Sequence, residues 1–296
     1  MALPSYTKPG QRIFYYLYIS FCGVVFFFLM APLVAIIPIS FSQSPFMLFT
    51  DGMMSWPPDP DAWSLRWYRY MIGDCTDKYL TTPCGNKWMI GTVNSFFVGT
   101  VSTLIATSLG TLAALGLSRP HMPFKGLIMS ILISPMIVPL IITAAGMFFF
   151  YAKVNLVYTF TGIILAHVAL ATPFVVITVT ATLVGFDTNM TKASQSLGAK
   201  PMKTFFKIIM PLILPGIISG ALFAFITSFD EVVIVMFMAS IDQLTIPKQM
   251  WAGIRQEISP VILCMATCLV ILSIFLLTTV ELLRRRSERI RGITHQ

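Results

Sequence analysis

Charged side chains are scarce in this sequence of 296 residues: they make up 11% of it, against about a quarter in a typical soluble domain. Hydrophobic residues make up 56%, and the mean hydropathy is +0.81. A chain of this composition has too few polar side chains to cover a water-soluble globule. A soluble domain is therefore excluded, and we predict a membrane protein.

The sequence also lacks the motifs of a nucleotide-binding or metal-dependent enzyme. No G-x-x-x-x-G-K-[ST] phosphate loop occurs, and the stretch GAKPMKT at 198–204 has one glycine where that loop needs two. The three histidines, His121, His167 and His295, are scattered, without a cluster of His and Glu. We expect no catalytic residue, metal site or cofactor in this chain.

Alternating ten-residue patterns are absent, which disfavours a transmembrane barrel and leaves helices. Six charge-free runs each hold the roughly 20 apolar residues that a helix needs to cross a bilayer. They lie at residues 13–50, 88–118, 126–152, 154–186, 208–229 and 258–280. The predicted fold class is an all-α transmembrane protein with six membrane-spanning helices.

Basic residues indicate how these spans are oriented, because Lys and Arg are retained on the cytoplasmic side. With both termini inside, 13 of the 20 lysines and arginines fall in inner segments. The formal net charge of +8 is then explained by topology, and nucleic-acid binding is not indicated. We predict a multi-pass membrane protein, in contact with membrane lipid, with cytoplasmic N- and C-termini.

The longest outer loop, at about 51–87, contains WPPDPDAW and CTDKYLTTPC. Its Pro and Asp content favours turns. Cys75 and Cys84 both lie in it, on the side where an oxidising periplasm permits a disulfide. The pair is a disulfide candidate, with two free thiols as the alternative.

The inner loop between the fourth and fifth spans is polar and punctuated by Gly and Pro: TKASQSLGAKPMKTFFKIIMPLILPG, residues 191–216. Asp187, Thr188 or Asn189 is a suitable cap for a short helix over 189–197. Gly198 suits the left-handed position after that helix, and Pro201 suits the first turn of the next one. Met190, Ala193 and Leu197 form an apolar stripe, which would cover a partner, the lipid headgroups or the chain's own bundle.

This loop resembles the "EAA" signature of type I ABC-importer permeases. Lys192, Ala193 and Ser194 stand at the triplet, Gly198 at the glycine, and Met210 and Pro211 at the terminal pair. The spacing matches throughout, although Lys192 replaces glutamate, Ser194 replaces alanine and Met210 replaces leucine. The resemblance covers roughly residues 90–280.

The resemblance implies a division of labour in which the chain is the transport subunit of a bacterial inner-membrane importer and not an enzyme. It also implies that ATP and Mg²⁺ are bound by a partner subunit. The expected partners are a second permease subunit, a dimer of ATPase subunits, a periplasmic substrate-binding protein and a small-molecule substrate. The expected ATPase-coupling residues are Lys192, Ala193, Ser194, Leu197, Gly198 and Ala199. The implied organisation is a tail and first span at 1–50, a periplasmic loop at 51–87, a permease core at 88–280 with a coupling loop at 187–207, and a basic cytoplasmic tail at 281–296.

SFDEVVIV and IPKQMWAGIRQEISPVI, on either side of residue 240, resemble the branch of the family that imports spermidine and putrescine. That branch implies a polyamine substrate. Opines and other amino-bearing solutes remain alternatives. An ATP-independent channel or secondary transporter is disfavoured, because the spans carry almost no charge and no internal repeat is evident.

Asp230 and Glu231 are the candidate substrate-path residues, because charges beside hydrocarbon usually face a cavity or a partner. One of the pair is expected to face the path, because neighbours on a helix diverge by about 100°. The other would cap a helix, meet water or pair with Lys248 or Arg255. Trp251 is a further candidate, either stacking on a cation or anchoring the chain at the interface.

Prolines and glycines within the spans predict kinks and close packing. Pro135 and Pro139 can each kink the third span, since proline removes a backbone donor. Gly216 and Gly220 form a G-x-x-x-G pattern that lets two helices approach closely. Packing within the chain is favoured over contact with a second permease.

Overall fold

The computed structural model describes residues 8–74, 86–119, 121–186, 188–256 and 258–290. All regular elements in these ranges are helices, as the composition predicts. The chain divides into two compact units, residues 85–252 and residues 1–84 with 253–296. Cys75 and Cys84 lie outside the described residues, so their disulfide stays a prediction.

The larger unit contains most of the helices. They are α4 (Lys87–Leu117), α5 (Lys125–Ile137), α6 (Leu140–Lys153), α7 (Phe160–Val184), α8 (Thr188–Ser196), α9 (Pro201–Thr204), α10 (Met210–Phe229), α11 (Val233–Met238) and most of α12 (Ile246–Gln256). A π-helical turn, Phe205–Ile209, joins α9 to α10. The long helices α4, α7 and α10 pack against one another around an apolar core that includes Val98, Val175 and Ile213.

The smaller unit contains α1 (Pro9–Ser40), α2 (Asp51–Met54), α3 (Arg66–Met71) and α13 (Val261–Ile290). The first helix ends at Ser40 rather than near residue 50. The Ser40 hydroxyl donates to the Ile37 carbonyl at 2.6 Å, and the backbone just beyond pairs Ser42 with Trp63. The last helix runs past residue 280, because the following Glu, Leu and Arg residues are good helix formers.

Within the described residues, five helices are long and apolar enough to cross a membrane, and the count reaches six if the α5–α6 pair forms one span. That pair is bent by 103°, so the run at 126–152 is not the single straight helix that its hydropathy suggests. The break lies at Val138, whose ψ of 134° is extended. Pro139 is the physical cause, because the residue before a proline is driven out of the helical region and proline itself has no N–H to donate.

Gly216 and Gly220 bring α10 against α7, which confirms the close approach predicted from their spacing. A Cβ on Gly216 would meet the Thr182 side chain, and one on Gly220 would lie 2.5 Å from Thr178 Oγ1 and 3.0 Å from Val175 Cα. The same two helices are also joined by a side-chain bond between the buried His167 Nδ1 and Ser228 Oγ, at 2.8 Å.

We expect Gly220→Ala to destabilise the fold by about 1–3 kcal/mol, the usual cost of overpacking. The added methyl group would press on the backbone of α7, so the two helices would have to separate. Gly146→Ala is the matched control, because a Cβ at Gly146 on α6 has no atom within 4 Å and alanine favours helix. Thermal unfolding in detergent, followed by circular dichroism, should show a lower midpoint for Gly220→Ala alone. Equal midpoints would contradict the packing argument.

Candidate functional site

The loop between α7 and α10, hereafter the coupling segment (residues 188–209), folds as a helix, a turn and a helix. Gly198 has φ of +78°, in the left-handed region. Its N–H donates to the Gln195 carbonyl at 2.9 Å, and the Ala199 N–H donates to the Ser194 carbonyl at 3.1 Å. These two bonds form the Schellman cap, which satisfies the last carbonyls of α8. The predicted short helix, its left-handed glycine and the start of α9 at Pro201 are confirmed.

A pair of buried hydroxyls ties α8 to α9. Ser194 Oγ and Thr204 Oγ1 lie 2.8 Å apart, and both residues are buried. Ser194 also donates to the Thr191 carbonyl at 2.9 Å, and a hydroxyl has only one hydrogen. Thr204 is therefore the donor within the pair. This bond is a structural reason for serine at position 194, where the family signature has alanine. Nothing in the sequence indicated that Ser194 and Thr204, ten residues apart, would join α8 to α9.

An open groove of about 510 Å³ runs along one face of the coupling segment. Leu197 is 88% exposed and Met190 is 48% exposed, so the described residues leave this apolar stripe uncovered. The groove is lined by Met190, Ala193, Ser194, Leu197, Gly198, Ala199, Lys203, Thr204, Lys207 and Ile208.

Five of the six predicted coupling residues therefore share one concave surface. Lys192 is exposed on α8 but does not line the groove. The sequence reasoning missed Lys203 and Lys207, which do line it. Their spacing of four residues on a continuous helical path is the signal that places them on one face.

The carboxylates after α10 have different surroundings. Glu231 is buried, and its Oε1 accepts the Ile234 N–H at 2.9 Å at the start of α11. Burial raises the pKa of Glu231, the hydrogen bonds from the Ile234 and Val233 amides oppose that rise, and the charge of Asp230 adds to it. Glu231 therefore caps a helix, which is the role predicted for one member of the pair.

Asp230 is the exposed member of the pair, at the C-terminal end of α10. Trp251 is 46% exposed on α12. Within the described ranges no hydrogen bond or ring contact joins Trp251 to either carboxylate. The three predicted substrate-path residues thus differ in their surroundings. Asp230 is an exposed carboxylate, Glu231 caps a helix, and Trp251 is an exposed ring.

Lys248 forms hydrogen bonds near the C-terminal end of α11. Its Nζ donates to the Val235 carbonyl at 3.2 Å and to the Ala239 carbonyl at 3.1 Å, and burial lowers its pKa. A carboxylate at the first turn and an ammonium at the last turn both complement the helix dipole. Lys248 is therefore occupied with backbone carbonyls and does not pair with Glu231.

The chain after α11 is fastened to the start of α4. The Asn94 side-chain amide donates to the carbonyls of Asp242 and Leu244, each at 2.9 Å. The Ile246 N–H donates to Ser95 Oγ at 2.8 Å. These bonds join residues about 150 positions apart and attach the segment at 242–246 to α4.

The chain matches the family described as binding-protein-dependent transport system inner membrane component, over residues 106–289. This match covers more than half of the chain, so the chain belongs to that family. It is an inner-membrane, multi-pass transport permease.

Curated relatives agree with this membership. The chain is 26% identical over 269 residues to the spermidine/putrescine transport system permease protein PotC of Haemophilus influenzae, covering 91% of this chain and 96% of that protein. It is 38% identical over 103 residues to the putrescine transport system permease protein PotI of Escherichia coli, covering 35% of this chain and 37% of that protein.

Two solved structures share the fold. A bacterial ABC transporter involved in the import of the acidic polysaccharide alginate matches with a TM-score of 0.67 at 15% identity, covering 96% of this chain and 99% of that one. A chain of the MetNI methionine ABC transporter matches with a TM-score of 0.53 at 21% identity, covering 73% and 100%. The fold is that of type I ABC-importer permeases.

Proposed function

We propose that the chain is the permease subunit of an ATP-driven importer for polyamines of the spermidine and putrescine type. The observation that carries the substrate class is the match to PotC along nearly the whole of both chains. The alternative substrates are opines and other amino-bearing solutes, which share the ammonium group.

The proposed ATP-driven step begins outside this chain. A dimer of ATPase subunits would bind ATP and Mg²⁺, a second permease subunit would complete the pathway, and a periplasmic binding protein would deliver the substrate. The coupling segment faces the ATPase in this scheme, with both termini of the chain on the same cytoplasmic side. Its groove residues, together with the exposed Lys192, form the proposed contact with the ATPase.

The connection between the coupling segment and Asp230 supports this role. Pro201–Phe229 is long and apolar enough to be one span of 29 residues, about 43 Å at 1.5 Å per residue. The Ser194–Thr204 bond attaches the groove to one end of this span, and Asp230 follows the other end. A displacement of the groove would therefore reach the far side of the membrane through a single packed helix, as alternating access requires.

Asp230 is the proposed substrate-path carboxylate, and Trp251 is the proposed stacking partner for an ammonium. A carboxylate replaces part of the hydration that an ammonium loses on entering the path. Glu231 is left out of this contact, because it is buried and its Oε1 accepts the Ile234 N–H of α11.

Reconstitution tests the proposed function. The chain, with the subunits that co-purify with it, is placed in proteoliposomes with ATP, and uptake of labelled spermidine, putrescine and an opine is compared. We expect ATP-dependent uptake of the two polyamines. Uptake of the opine alone would favour the alternative substrate, and equal uptake without ATP would overturn the importer in favour of a channel or secondary transporter.

A further inference from the structure

The break between α5 and α6 lies at membrane depth. The run at 126–152 has no charged residue and is bounded by Lys125 and Lys153. The first helix of the pair, α5, is 13 residues long, about 20 Å at 1.5 Å per residue, whereas a bilayer core is about 30 Å thick. A helix of this length that starts at the membrane boundary ends inside the hydrocarbon, and the chain turns by 103° at that depth.

Three carbonyl groups at the end of α5 have no hydrogen-bond donor among the described residues. The last four carbonyls of a helix lack partners within it. Of these, the Ser134 carbonyl accepts the Val138 N–H at 3.1 Å. The residue four positions after Pro135 is itself a proline, which has no N–H to donate. The carbonyls of Pro135, Met136 and Ile137 therefore remain as acceptors, at the negative end of the α5 dipole.

The described residues leave this break uncovered. Residues 136–139 are all exposed, and Ile137 exposes 75% of its surface. Hydrocarbon offers no donor to an open carbonyl, so irregular backbone at this depth is tolerated only where protein buries it or where it lines a water-filled cavity. In the assembled transporter, the break therefore adjoins either a second protein chain or the aqueous path.

The chemistry of the break favours the path. A neighbouring helix has few donors to give, because its backbone N–H groups are used within the helix. An ammonium has three N–H donors and no acceptor, and helix C-termini at broken spans bind cations in other transporters. The start of α6 would instead attract an anion. However, the Ile142 and Thr143 N–H groups already donate to the Pro139 carbonyl, so only the Leu140 and Ile141 N–H groups oppose the three acceptors.

We infer that the break at 135–139 is a station on the transport path, where the carbonyls at the end of α5 bind an ammonium group of the substrate. This inference rests on the proposed function, because it names groups within the membrane that receive the polyamine. Carbonyl dipoles replace part of the hydration of a cation without placing a full charge in the span, so the solute is held and can still leave. A polyamine can then pass through spans that carry almost no charge.

Thiol labelling tests the inference in proteoliposomes that contain the chain, the subunits that co-purify with it, and ATP. The five cysteines are replaced by alanine, and Ile137→Cys is treated with a charged, membrane-impermeant methanethiosulfonate. We expect labelling from water, and we expect spermidine at about ten times its Kd to slow it about tenfold. Val24→Cys is the matched control, because Val24 is 67% exposed on the unbroken helix α1 and should not be labelled in hydrocarbon.

Pro139→Ala is a second test, because alanine restores an N–H for the Pro135 carbonyl and lets α5 continue into α6. We expect the thermal unfolding midpoint to rise, while ATP-dependent spermidine uptake falls about tenfold or more. Pro32→Ala is the control, because Pro32 lies inside α1 without a break, and its uptake should match that of the parent.

The other outcomes separate this inference from the proposed function. If Ile137→Cys is not labelled while spermidine uptake continues, a second protein chain covers the break, and the inference is wrong although the proposed function stands. If spermidine uptake continues and spermidine does not slow the labelling, the break faces water without binding the substrate, which also overturns the inference. Unchanged uptake in Pro139→Ala would contradict it as well. If the parent takes up no polyamine, the proposed function fails, and the inference fails with it.

Discussion

Replacing Gly198 by valine is expected to abolish ATP-driven transport while the chain still inserts into the membrane. Gly198 has φ of +78°, a conformation that costs an ordinary L-residue about 1–2 kcal/mol and a β-branched one more. A Cβ at this position has no atom within 4 Å, so the cost comes from the backbone rather than from a clash. The valine variant relieves that strain by changing the turn, which moves Leu197 and Ala199 out of register in the groove.

Asparagine provides the matched control, because it tolerates the left-handed conformation better than any β-branched residue. Gly198→Asn should retain most of the transport and of the substrate-stimulated ATP hydrolysis in proteoliposomes. Gly198→Val should lose both, although the amount of inserted protein stays the same. Wild-type coupling in the valine variant would show that the turn geometry does not position the groove.

The coupling segment was predictable because all its signals are local. A helix, a left-handed glycine and a proline at a first helical position follow one another within 14 residues, 188–201, and each has a direct backbone consequence. The break at Pro139 is equally local, since the constraint acts on Val138, the residue before it. Hydropathy did not predict the size of this bend, which is 103° between α5 and α6.

The outer part of the site was not predictable in the same way, because its bonds join distant residues. Asn94 donates to carbonyls 148 and 150 positions away, and no pattern in a single sequence indicates such pairs. The roles of Asp230 and Glu231 depend on the same tertiary context. The helical geometry used for the prediction makes adjacent carboxylates diverge, but the structure ends α10 at Phe229, and the start of α11 at Val233 decides that Glu231 is the buried one.

Loss of the Glu231 hydrogen-bond acceptor is expected to lower the free energy of unfolding more than loss of the Glu231 charge. Glu231→Ala would leave buried N–H groups of α11 without an acceptor, at about 1–3 kcal/mol for such a loss. Glu231→Gln keeps an oxygen acceptor and should fold well. Because the pKa of Glu231 is raised in the folded protein, its contribution to the free energy of unfolding is greatest below the unfolded-state pKa. That contribution is lost as the pH rises through the pKa that Glu231 has in the folded protein. In Glu231→Gln, the free energy of unfolding should therefore depend less on pH over this range.

Asp230 is expected to show the opposite behaviour, with a large effect on transport and little on folding. Its carboxylate is exposed at the end of α10, so Asp230→Asn disturbs no buried contact. A hydrogen bond to an ammonium loses strength when the acceptor loses its charge, and we expect polyamine uptake at sub-saturating substrate to fall about tenfold. Initial uptake rates of labelled spermidine in proteoliposomes, with Glu231→Gln as the paired control, measure this. Uptake reduced by Glu231→Gln but not by Asp230→Asn would reverse the assignment. Unchanged uptake in both variants would leave the two carboxylates as a helix end and a helix cap, and would remove cation recognition from this end of the span.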